Sequence, residues 1–293
     1  MKKFKVGVSL NYAVVALIGF ITLYPFIYIL SMSITPATAL ARNKVMLLPL
    51  GFNLSAYRLV FTSKNLMDGF VNTVQYTLVG TIVSVFLTTF TAYPLAQPHF
   101  KKYANIYMTF VLITMMFGGG LIPTYLTIRN LGLVNSFWVM IIPGAISPFY
   151  LILVRTFIRE LPSEMYEAAH IEGASDFQIF MRIIVPLSQP IIACISLYYA
   201  VGIWNNYMTP LIYLTNNAKM PLQVYLRQIV LLSQMYEQMI QGQGWTDSLS
   251  NIQFNTEAMK CATLVVSAVP LLVVYPFLQK YFVRGIMIGA IKG

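Results

Sequence analysis

The chain has 293 residues, of which 58% are hydrophobic and 10% are charged, whereas about 25% of the residues in an average soluble domain are charged. Its mean hydropathy is +0.70, so there is too little polar surface to cover a soluble globule of this mass. The composition therefore excludes a soluble domain, and two cysteines in the whole chain exclude a disulfide-stapled secreted fold.

The formal net charge of +10 would suit a nucleic-acid partner if the basic residues formed a stripe on one face. The 19 lysines and arginines instead stand in short groups between long uncharged stretches, as cationic residues do beside membrane spans. We therefore expect membrane lipid and no nucleic acid as a partner. Cys194 and Cys261 lie far apart with no histidine nearby, so no metal site is predicted.

Six uncharged stretches are long enough to cross a bilayer, because about 20 apolar residues span roughly 30 Å of hydrocarbon. In chain order they cover residues 12–33, 70–95, 103–123, 137–154, 191–214 and 261–279. All six are too uniformly apolar to be surface-lying amphipathic helices. The first exceeds the roughly 7 to 15 apolar residues of a secretory signal, so we expect it to remain as a span.

The lysines and arginines between the spans orient the chain. With the N-terminus inside, the inner segments carry 11 basic residues in roughly 70 positions, and the outer segments carry 8 in roughly 95. This bias follows the positive-inside rule, so both termini are predicted to be cytoplasmic.

Three segments between the spans are long enough to carry a function. Residues 34–69 and 215–260 lie outside in this topology, and residues 155–190 lie inside and hold five of the nine acidic residues. Several spans also contain helix breakers, which are Gly118, Gly119, Gly120, Pro123, Pro143, Pro148, Pro270 and Pro276. In lipid such breaks occur where neighbouring helices or water satisfy the freed backbone groups, so they fit either ordinary kinks or a translocation path.

The inner segment predicts two short helices around a turn. Ser163 can cap the first helix, whose first turn is acidic, and Gly173 can adopt the positive φ that ends it. Ser175 or Asp176 can cap the second helix, which is expected to run until Pro186.

The first of these helices places carboxylates beside small residues. Glu164 and Glu167 flank the start of a helix in which Ala168 and Ala169 would let another protein approach closely. A solvated acidic connector has the same composition, so these residues alone leave both interpretations open.

The spacing of this segment resembles the EAA motif of binding-protein-dependent ABC importer permeases. That motif reads Glu-Ala-Ala, three residues, Gly, nine residues, Ile-x-x-Pro, and the matching residues are Glu167, Ala168, Ala169, Gly173, Ile183 and Pro186. Val185 stands where the family usually has Leu, and Glu172 stands where many relatives have Asp. Both are conservative exchanges.

Further stretches are similar to the carbohydrate branch of that family. They lie at residues 118–125, 130–133, 204–207 and 275–293. Within the branch they resemble the second permease of the maltose transporter, and more closely the permeases that import oligosaccharides or polysaccharide fragments such as alginate.

The resemblance implies an all-α membrane protein with the type I ABC importer permease fold, in which residues 1–293 form one domain with six transmembrane helices in the inner membrane. It implies a homologous second permease, two cytoplasmic ATPases and an extracytoplasmic solute-binding protein as partners. The EAA segment would dock on one ATPase, and residues 215–260 would touch the binding protein. The tail at residues 280–293, with Gly289, Lys292 and Gly293, would reach toward the ATPase interface.

This chain itself is expected to be a transport subunit and not an enzyme. It lacks a glycine-rich phosphate loop ending in Gly-Lys-Ser/Thr, so ATP and Mg²⁺ would be bound by the partner ATPases and no cofactor by this chain. The predicted spans also lack a nucleophile and base pair. His99 and His170 are expected to be surface residues.

The rival transport class is an ion- or proton-driven carrier or a channel that works without an ATPase. Secondary carriers usually need buried carboxylates, and none of the six predicted stretches contains Asp or Glu. The six stretches also show no evident inverted repeat. Both observations favour the ATP-driven importer.

A substrate path is predicted in the fifth span at Trp204, Asn205, Asn206 and Tyr207. Adjacent carboxamides in an apolar helix are costly unless they are paired, and amides with aromatic faces suit the hydroxyls and C–H surfaces of a sugar. Hydrogen bonds between helices that hold the bundle are the alternative role for the same residues.

Overall fold

A computed structural model describes residues 2–36, 39, 48–162, 164–243 and 247–290. All regular structure in these ranges is helical. The helices are α1 (Lys2–Ile34), α2 (Ser55–Thr62), α3 (Lys64–Ala96), α4 (Lys101–Met116), α5 (Leu121–Asn130), α6 (Pro148–Arg159), α7 (Glu164–Ile171), α8 (Asp176–Leu187), α9 (Gln189–Trp204), α10 (Met208–Tyr213), α11 (Leu222–Gln243) and α12 (Asp247–Ala290). Short 3₁₀ turns lie at Pro98–Phe100, Phe137–Met140, Ile142–Gly144 and Asn217–Lys219.

Three described helices are long and apolar enough to cross a membrane as continuous segments. They are α1 over Leu10–Ile34, α3 over its whole length, and α12 over Ile252–Val274. Three further candidates are bent pairs: α4 with α5 at 119°, Phe137–Gly144 with α6 at 54°, and α8 with α9 at 81°. The described residues thus contain up to six spans if each bent pair counts as one.

The predicted third and fourth spans are broken where the sequence carries helix breakers, whereas α12 continues through Pro270 and Pro276. α4 ends at Met116, before the three glycines, and Gly120 has a φ of +80°, a backbone conformation that glycine adopts without strain. The fourth begins as two 3₁₀ turns and becomes α-helical only at Pro148. The fifth is interrupted between α9 and α10, at Asn205 to Tyr207.

The predicted outer segment at residues 215–260 contains α11 and the first turns of α12. The apolar part of α12 at Ile252–Val274 includes Glu257 and Lys260, which lie just before the predicted span at residues 261–279. The Lys260 ammonium lies 2.6 Å from the Glu257 carboxylate and contacts the Ser233 hydroxyl at 3.3 Å, so the two charges compensate each other.

The described chain forms two compact units, residues 1–68 with 224–270, and residues 69–223 with 271–293. In the first unit, the Ser33 and Tyr57 hydroxyls are 2.8 Å apart, and the Asn53 N–H donates to the Ile34 carbonyl oxygen. These hydrogen bonds join the end of α1 to α2 and the segment before it.

The second unit has two hydrophobic cores. The first core, which we call the hairpin-side core because it contains residues of the consecutive helices α7 and α8, joins α3, α4, α6, α7, α8 and α9. It surrounds the fully buried Ala92, Val154, Ile179, Ile184 and Ile195. The second core joins α3, α5, the Phe137–Met140 turn and α10, and it contains Tyr76, Ile128 and Val139.

Side chains near the start of α3 hold the segment between α10 and α11. Asn72 Nδ2 donates to the carbonyl oxygens of Ala218 and Met220, at 2.8 and 3.1 Å. The buried Thr73 hydroxyl donates to the Gly69 carbonyl and accepts the Leu222 N–H at 2.8 Å. These hydrogen bonds satisfy two backbone carbonyl groups and one N–H group that have no partner within a helix.

We predict that Thr73→Val lowers the thermal stability of the purified protein, because the buried Leu222 N–H loses its acceptor at a cost of about 1–3 kcal/mol. Thr77→Val is the matched control, since Thr77 Oγ1 is buried with no hydrogen-bond partner among the described residues. Thermal unfolding in detergent should show a lower midpoint for Thr73→Val alone. Equal midpoints for both variants would contradict this role of Thr73.

Candidate functional site

The helix α7 presents one face to solvent and buries the other. Glu167 and Ala168 are exposed, and Ile171 is 88% exposed, whereas Tyr166 and Ala169 are each 8% exposed. The helical period explains this division, because residues three apart lie on the same side. The prediction that Ala168 and Ala169 together form an approach surface is therefore wrong for Ala169, which packs into the hairpin-side core.

Tyr166 joins α7 to the preceding helix. Its hydroxyl donates to the carbonyl oxygens of Ile158 and Leu161, at 3.1 and 3.3 Å. Burial raises the pKa of the Tyr166 phenol above its ordinary value, so the hydroxyl stays protonated and remains a donor. Tyr166 thus fixes α7 on α6, with the exposed face turned outward.

Gly173 ends α7 as predicted, with a φ of +81°. Its N–H donates to the His170 carbonyl, and the Ala174 N–H donates to the Ala169 carbonyl, both at 3.0 Å. These two bonds form a Schellman motif, which needs a residue with positive φ at this position. The predicted cap at Ser163 lies outside the described residues.

Ser175, one of the two predicted caps, begins α8 with a reciprocal capping box. The Ser175 hydroxyl accepts the Gln178 N–H, and the Gln178 side chain accepts the Ser175 N–H at 2.9 Å. α7, the turn at Gly173 and α8 together form a unit that we call the α7–α8 hairpin.

The prediction that α8 stops at Pro186 is wrong by one residue. A π turn at Phe180–Ile184 precedes the proline, and the helix ends at Leu187. A π turn widens the hydrogen-bond ladder, which lets the helix pass a residue that has no N–H to donate. Ile183 is half-buried against the hairpin-side core, and Pro186 is exposed.

The hairpin surface is acidic, with Glu164, Glu167, Glu172 and Asp176 all exposed. His170 Nε2 lies 3.6 Å from Asp176 Oδ1 across the turn. Exposed charges of this kind contribute little to stability, so their clustering on one hairpin suits recognition of a basic surface.

A second feature is a cavity of about 210 Å³ in the second unit. Its wall includes the broken segment from Val139 to Gly144, and the side chains lining it include Ser84, Tyr150, Tyr198, Tyr199, Asn206 and Thr209. The rings of Tyr150 and Tyr198 are stacked with centroids 5.7 Å apart. The cavity therefore offers flat aromatic faces together with amide and hydroxyl groups.

Tyr199 holds the broken segment in place. Its hydroxyl lies 2.7 Å from the Thr88 hydroxyl and accepts the Ser147 N–H at 2.9 Å. Ser147 directly precedes Pro148, where α6 begins. The freed backbone donor at the break is thus satisfied by a side chain of α9, as a membrane environment requires.

The four predicted path residues have different positions. Trp204 is buried, with its ring 6.1 Å from Phe70, and Asn205 and Tyr207 are exposed. Only Asn206 of the four lines the cavity. The expectation that the two carboxamides lie in a continuous helix is wrong, because they lie in the break between α9 and α10.

Asn206 has a local structural role as well. Its Oδ1 accepts the Thr209 N–H at 3.1 Å, and its Nδ2 donates to the Thr209 hydroxyl at 2.9 Å. This is the pattern by which asparagine satisfies donors at the start of a helix, here α10. Among the predicted C-terminal residues, Gly289 lies in α12, and Lys292 and Gly293 lie outside the described residues.

The sequence analysis did not predict several residues of the exposed α7 face and of the cavity. Ile171 lies four residues after Glu167, so helical periodicity alone would have placed it on the same exposed face. The tyrosines of the cavity gave no such signal, because adjacent aromatic residues in an apolar span also fit packing between helices.

The comparisons with known proteins agree with the family resemblance found in the sequence. The family model described as "Binding-protein-dependent transport system inner membrane component" matches residues 6–288. The chain is 41% identical to Protein LplC of Bacillus subtilis, over 94% of this chain and 91% of that protein. It is 39% identical to the polygalacturonan/rhamnogalacturonan transport system permease protein YtcP of Bacillus subtilis, over 97% of each chain.

Among solved structures, the chain is similar to a bacterial ABC transporter involved in the import of the acidic polysaccharide alginate. The TM-score is 0.83 at 30% sequence identity, and the match covers 96% of this chain and 98% of the other.

Proposed function

The chain belongs to the binding-protein-dependent transport system inner membrane component family, and from this premise we propose how it works as the permease subunit of an ATP-driven carbohydrate importer. It is a multi-pass membrane protein with the all-helical type I ABC permease fold. Its relatives support this function over that of an ion-driven carrier or a channel.

The proposed topology has six spans and two cytoplasmic termini. The three continuous helices, the bent pair of α4 with α5, the bent pair of Phe137–Gly144 with α6, and α9 with α10 supply the spans, and the bias of basic residues toward the inner segments supports the orientation. In this topology the α7–α8 hairpin faces the cytoplasm, and α11 lies on the extracytoplasmic side.

The partners follow from this arrangement. A homologous second permease completes the path, an extracytoplasmic solute-binding protein delivers the solute, and two cytoplasmic ATPases bind ATP and Mg²⁺. The observation that carries the proposal is the exposed face of α7, which is formed by Glu167, Ala168 and Ile171. The opposite face of α7 packs into the hairpin-side core. One ATPase binds this face, with Glu167 accepting charge-assisted hydrogen bonds from it.

The hairpin transmits motion because it belongs to the permease core. Tyr166 and Ala169 lie in the same buried cluster as Ala92 of α3, Val154 of α6 and Ile195 of α9. Close-packed cores move as units and do not deform continuously. ATPase closure therefore displaces the hairpin together with the spans around it, and the spans rock between inward-open and outward-open states.

The proposed solute is an oligosaccharide or polysaccharide fragment, in the acidic class that alginate represents. The support is the match to the alginate transporter and to the polygalacturonan/rhamnogalacturonan permease. The cavity suits such a solute, because Tyr150 and Tyr198 offer ring faces for sugar C–H surfaces, and Asn206 and Ser84 offer hydrogen-bonding groups for hydroxyls.

We predict that Glu167→Lys abolishes ATP-driven uptake while the protein still inserts in the membrane. The change replaces an acceptor of charge-assisted bonds, worth about 1.5–3 kcal/mol, with a repelling charge. Glu160→Lys is the matched control, because Glu160 is also exposed but lies at the end of α6 and not on α7. The measurement is the uptake of labelled oligosaccharide by cells. Normal uptake by Glu167→Lys would contradict the proposal that α7 couples the permease to the ATPase.

A second prediction separates the two roles of Asn206. Asn206→Ala removes both the helix cap and the carboxamide, whereas Asn206→Ser keeps a capping oxygen but removes the carboxamide from the cavity. If the carboxamide contacts the solute, both variants should raise the concentration needed for half-maximal uptake. If only the alanine variant is impaired, with a lower unfolding midpoint, Asn206 is a cap and not part of the path.

A further inference from the structure

A pocket of about 270 Å³ lies beside the hairpin, where α3 ends and α8 begins. Its lining residues are Phe90, Tyr93, Pro94, Gln97, Phe100, Asp176, Phe177 and Phe180. Aromatic rings form most of the wall: Phe90 and Tyr93 each lie within 5.6 Å of Phe180, measured between ring centroids. Of the lining residues, only Asp176 also belongs to the acidic hairpin surface described above, and none is assigned above to the solute path.

Polar groups lie inside this aromatic wall. The Tyr93 side chain is 6% exposed, and its hydroxyl is buried with no hydrogen-bond partner among the described residues. Gln97, one turn further along the chain, is 8% exposed. An unpaired buried hydroxyl is costly, so the Tyr93 hydroxyl indicates a bound group with an oxygen atom or an N–H group at this depth.

Charged residues of both signs belong to the pocket lining or are next to a lining residue in the chain. The Asp176 carboxylate belongs to the lining and is largely exposed. Lys101 and Lys102 directly follow Phe100 in the chain, and both are exposed. His170 faces Asp176 at 3.6 Å and is exposed as well. A group that carries a cation and an anion on one headgroup matches this arrangement.

The pocket also continues an apolar face of the span. Leu78, Ile82, Phe86 and Phe90 follow one another at four-residue intervals on α3, and all four are exposed. Residues four apart lie on the same face of a helix, so this stripe leads along the span to Phe90 at the pocket wall. An apolar chain on the stripe would end where the polar groups of the pocket begin.

We propose that this pocket binds a zwitterionic phospholipid with an ammonium headgroup. The ammonium lies against Asp176 and the aromatic faces, which attract cations, and the phosphate lies toward Lys101 and Lys102. The Tyr93 hydroxyl and the Gln97 amide bind the ester oxygens, and an acyl chain covers Phe90 and Phe86. This inference requires the membrane location of the chain but does not rest on its ATPase coupling.

Charge complementarity favours this occupant over two others. An anionic lipid without an ammonium group would place its phosphate near the lysines but would bring no cation to Asp176 or to the aromatic faces. A basic side chain from a partner protein would satisfy Asp176 but would leave the apolar stripe uncovered. The lipid accounts for the carboxylate, the lysines, the buried hydroxyl and the stripe together.

The test measures which lipid stays with the protein. The full-length chain is purified with its accompanying subunits, stripped of lipid with detergent, and incubated with equal amounts of phosphatidylethanolamine and phosphatidylglycerol. Native mass spectrometry then counts each bound lipid on the wild type, on Asp176→Asn and on Tyr93→Phe. Glu172→Gln is the control, because Glu172 is an exposed acid of the same hairpin outside the pocket.

The wild type and Glu172→Gln should retain phosphatidylethanolamine over phosphatidylglycerol. Asp176→Asn should reduce that preference by about fivefold, as loss of a partly exposed ion pair of about 1 kcal/mol implies. Tyr93→Phe should lower the retention of phosphatidylethanolamine with the unfolding midpoint unchanged. Equal retention of the two lipids by the wild type would overturn the proposal.

The same purification separates this proposal from the coupling role of the hairpin. If Asp176→Asn keeps the lipid preference but loses the ATPase, the pocket docks a protein and the lipid assignment is wrong. If the wild type brings no ATPase but selects phosphatidylethanolamine, the lipid site stands and the proposed coupling fails.

Discussion

The second unit of this protein depends on side chains that satisfy backbone groups where its helices break. In lipid an unpaired N–H or C=O group costs several kcal/mol, so a broken span survives only if the protein supplies a partner. Tyr199 supplies one by accepting the N–H of Ser147 ahead of α6. Thr73 does the same for Leu222, and the Asn135 side chain accepts the N–H groups of Thr215 and Asn216. Each of these side chains belongs to a different part of the chain from the backbone group that it pairs with. The position of each break and the packing around it therefore depend on each other.

The breaks have functional consequences because they place polar groups in an apolar bundle. The segment from Val139 to Gly144 and the α9–α10 break meet at the cavity, where Asn206 and the tyrosines offer groups that suit a sugar. A further break, between α8 and α9, lies beside the hairpin, and the π turn at Phe180–Ile184 precedes it. Short irregular elements of this kind can absorb the backbone changes of a rocking motion, while the hairpin-side core carries α7 as a rigid part.

The sequence was most informative where local chemistry decides the conformation. The end of α7 at Gly173 followed from the need for positive φ, and the start of α8 followed from a capping serine. It was least informative where tertiary packing decides. Uniformly apolar stretches have the same composition whether they are straight or bent, so the break angles could not be predicted. Helical periodicity places Ala169 on the buried face of α7 with Tyr166. The linear motif treats Ala168 and Ala169 as one pair, so the motif alone did not predict that they face opposite sides. Glu257 and Lys260 lie just before the predicted span, and their pairing in α12 could not be predicted from composition.

The most direct measurement is affinity purification of the tagged chain from native membranes, comparing the wild type with Gly173→Asp. Aspartate at a φ of +81° is strained, so the variant should disturb the end of α7 and its exposed face while the buried core stays intact. The account predicts that the wild type brings both an ATPase and a second permease, and that the variant keeps the permease but loses the ATPase. Purification of the wild-type chain alone, or with only further copies of itself, would contradict the account.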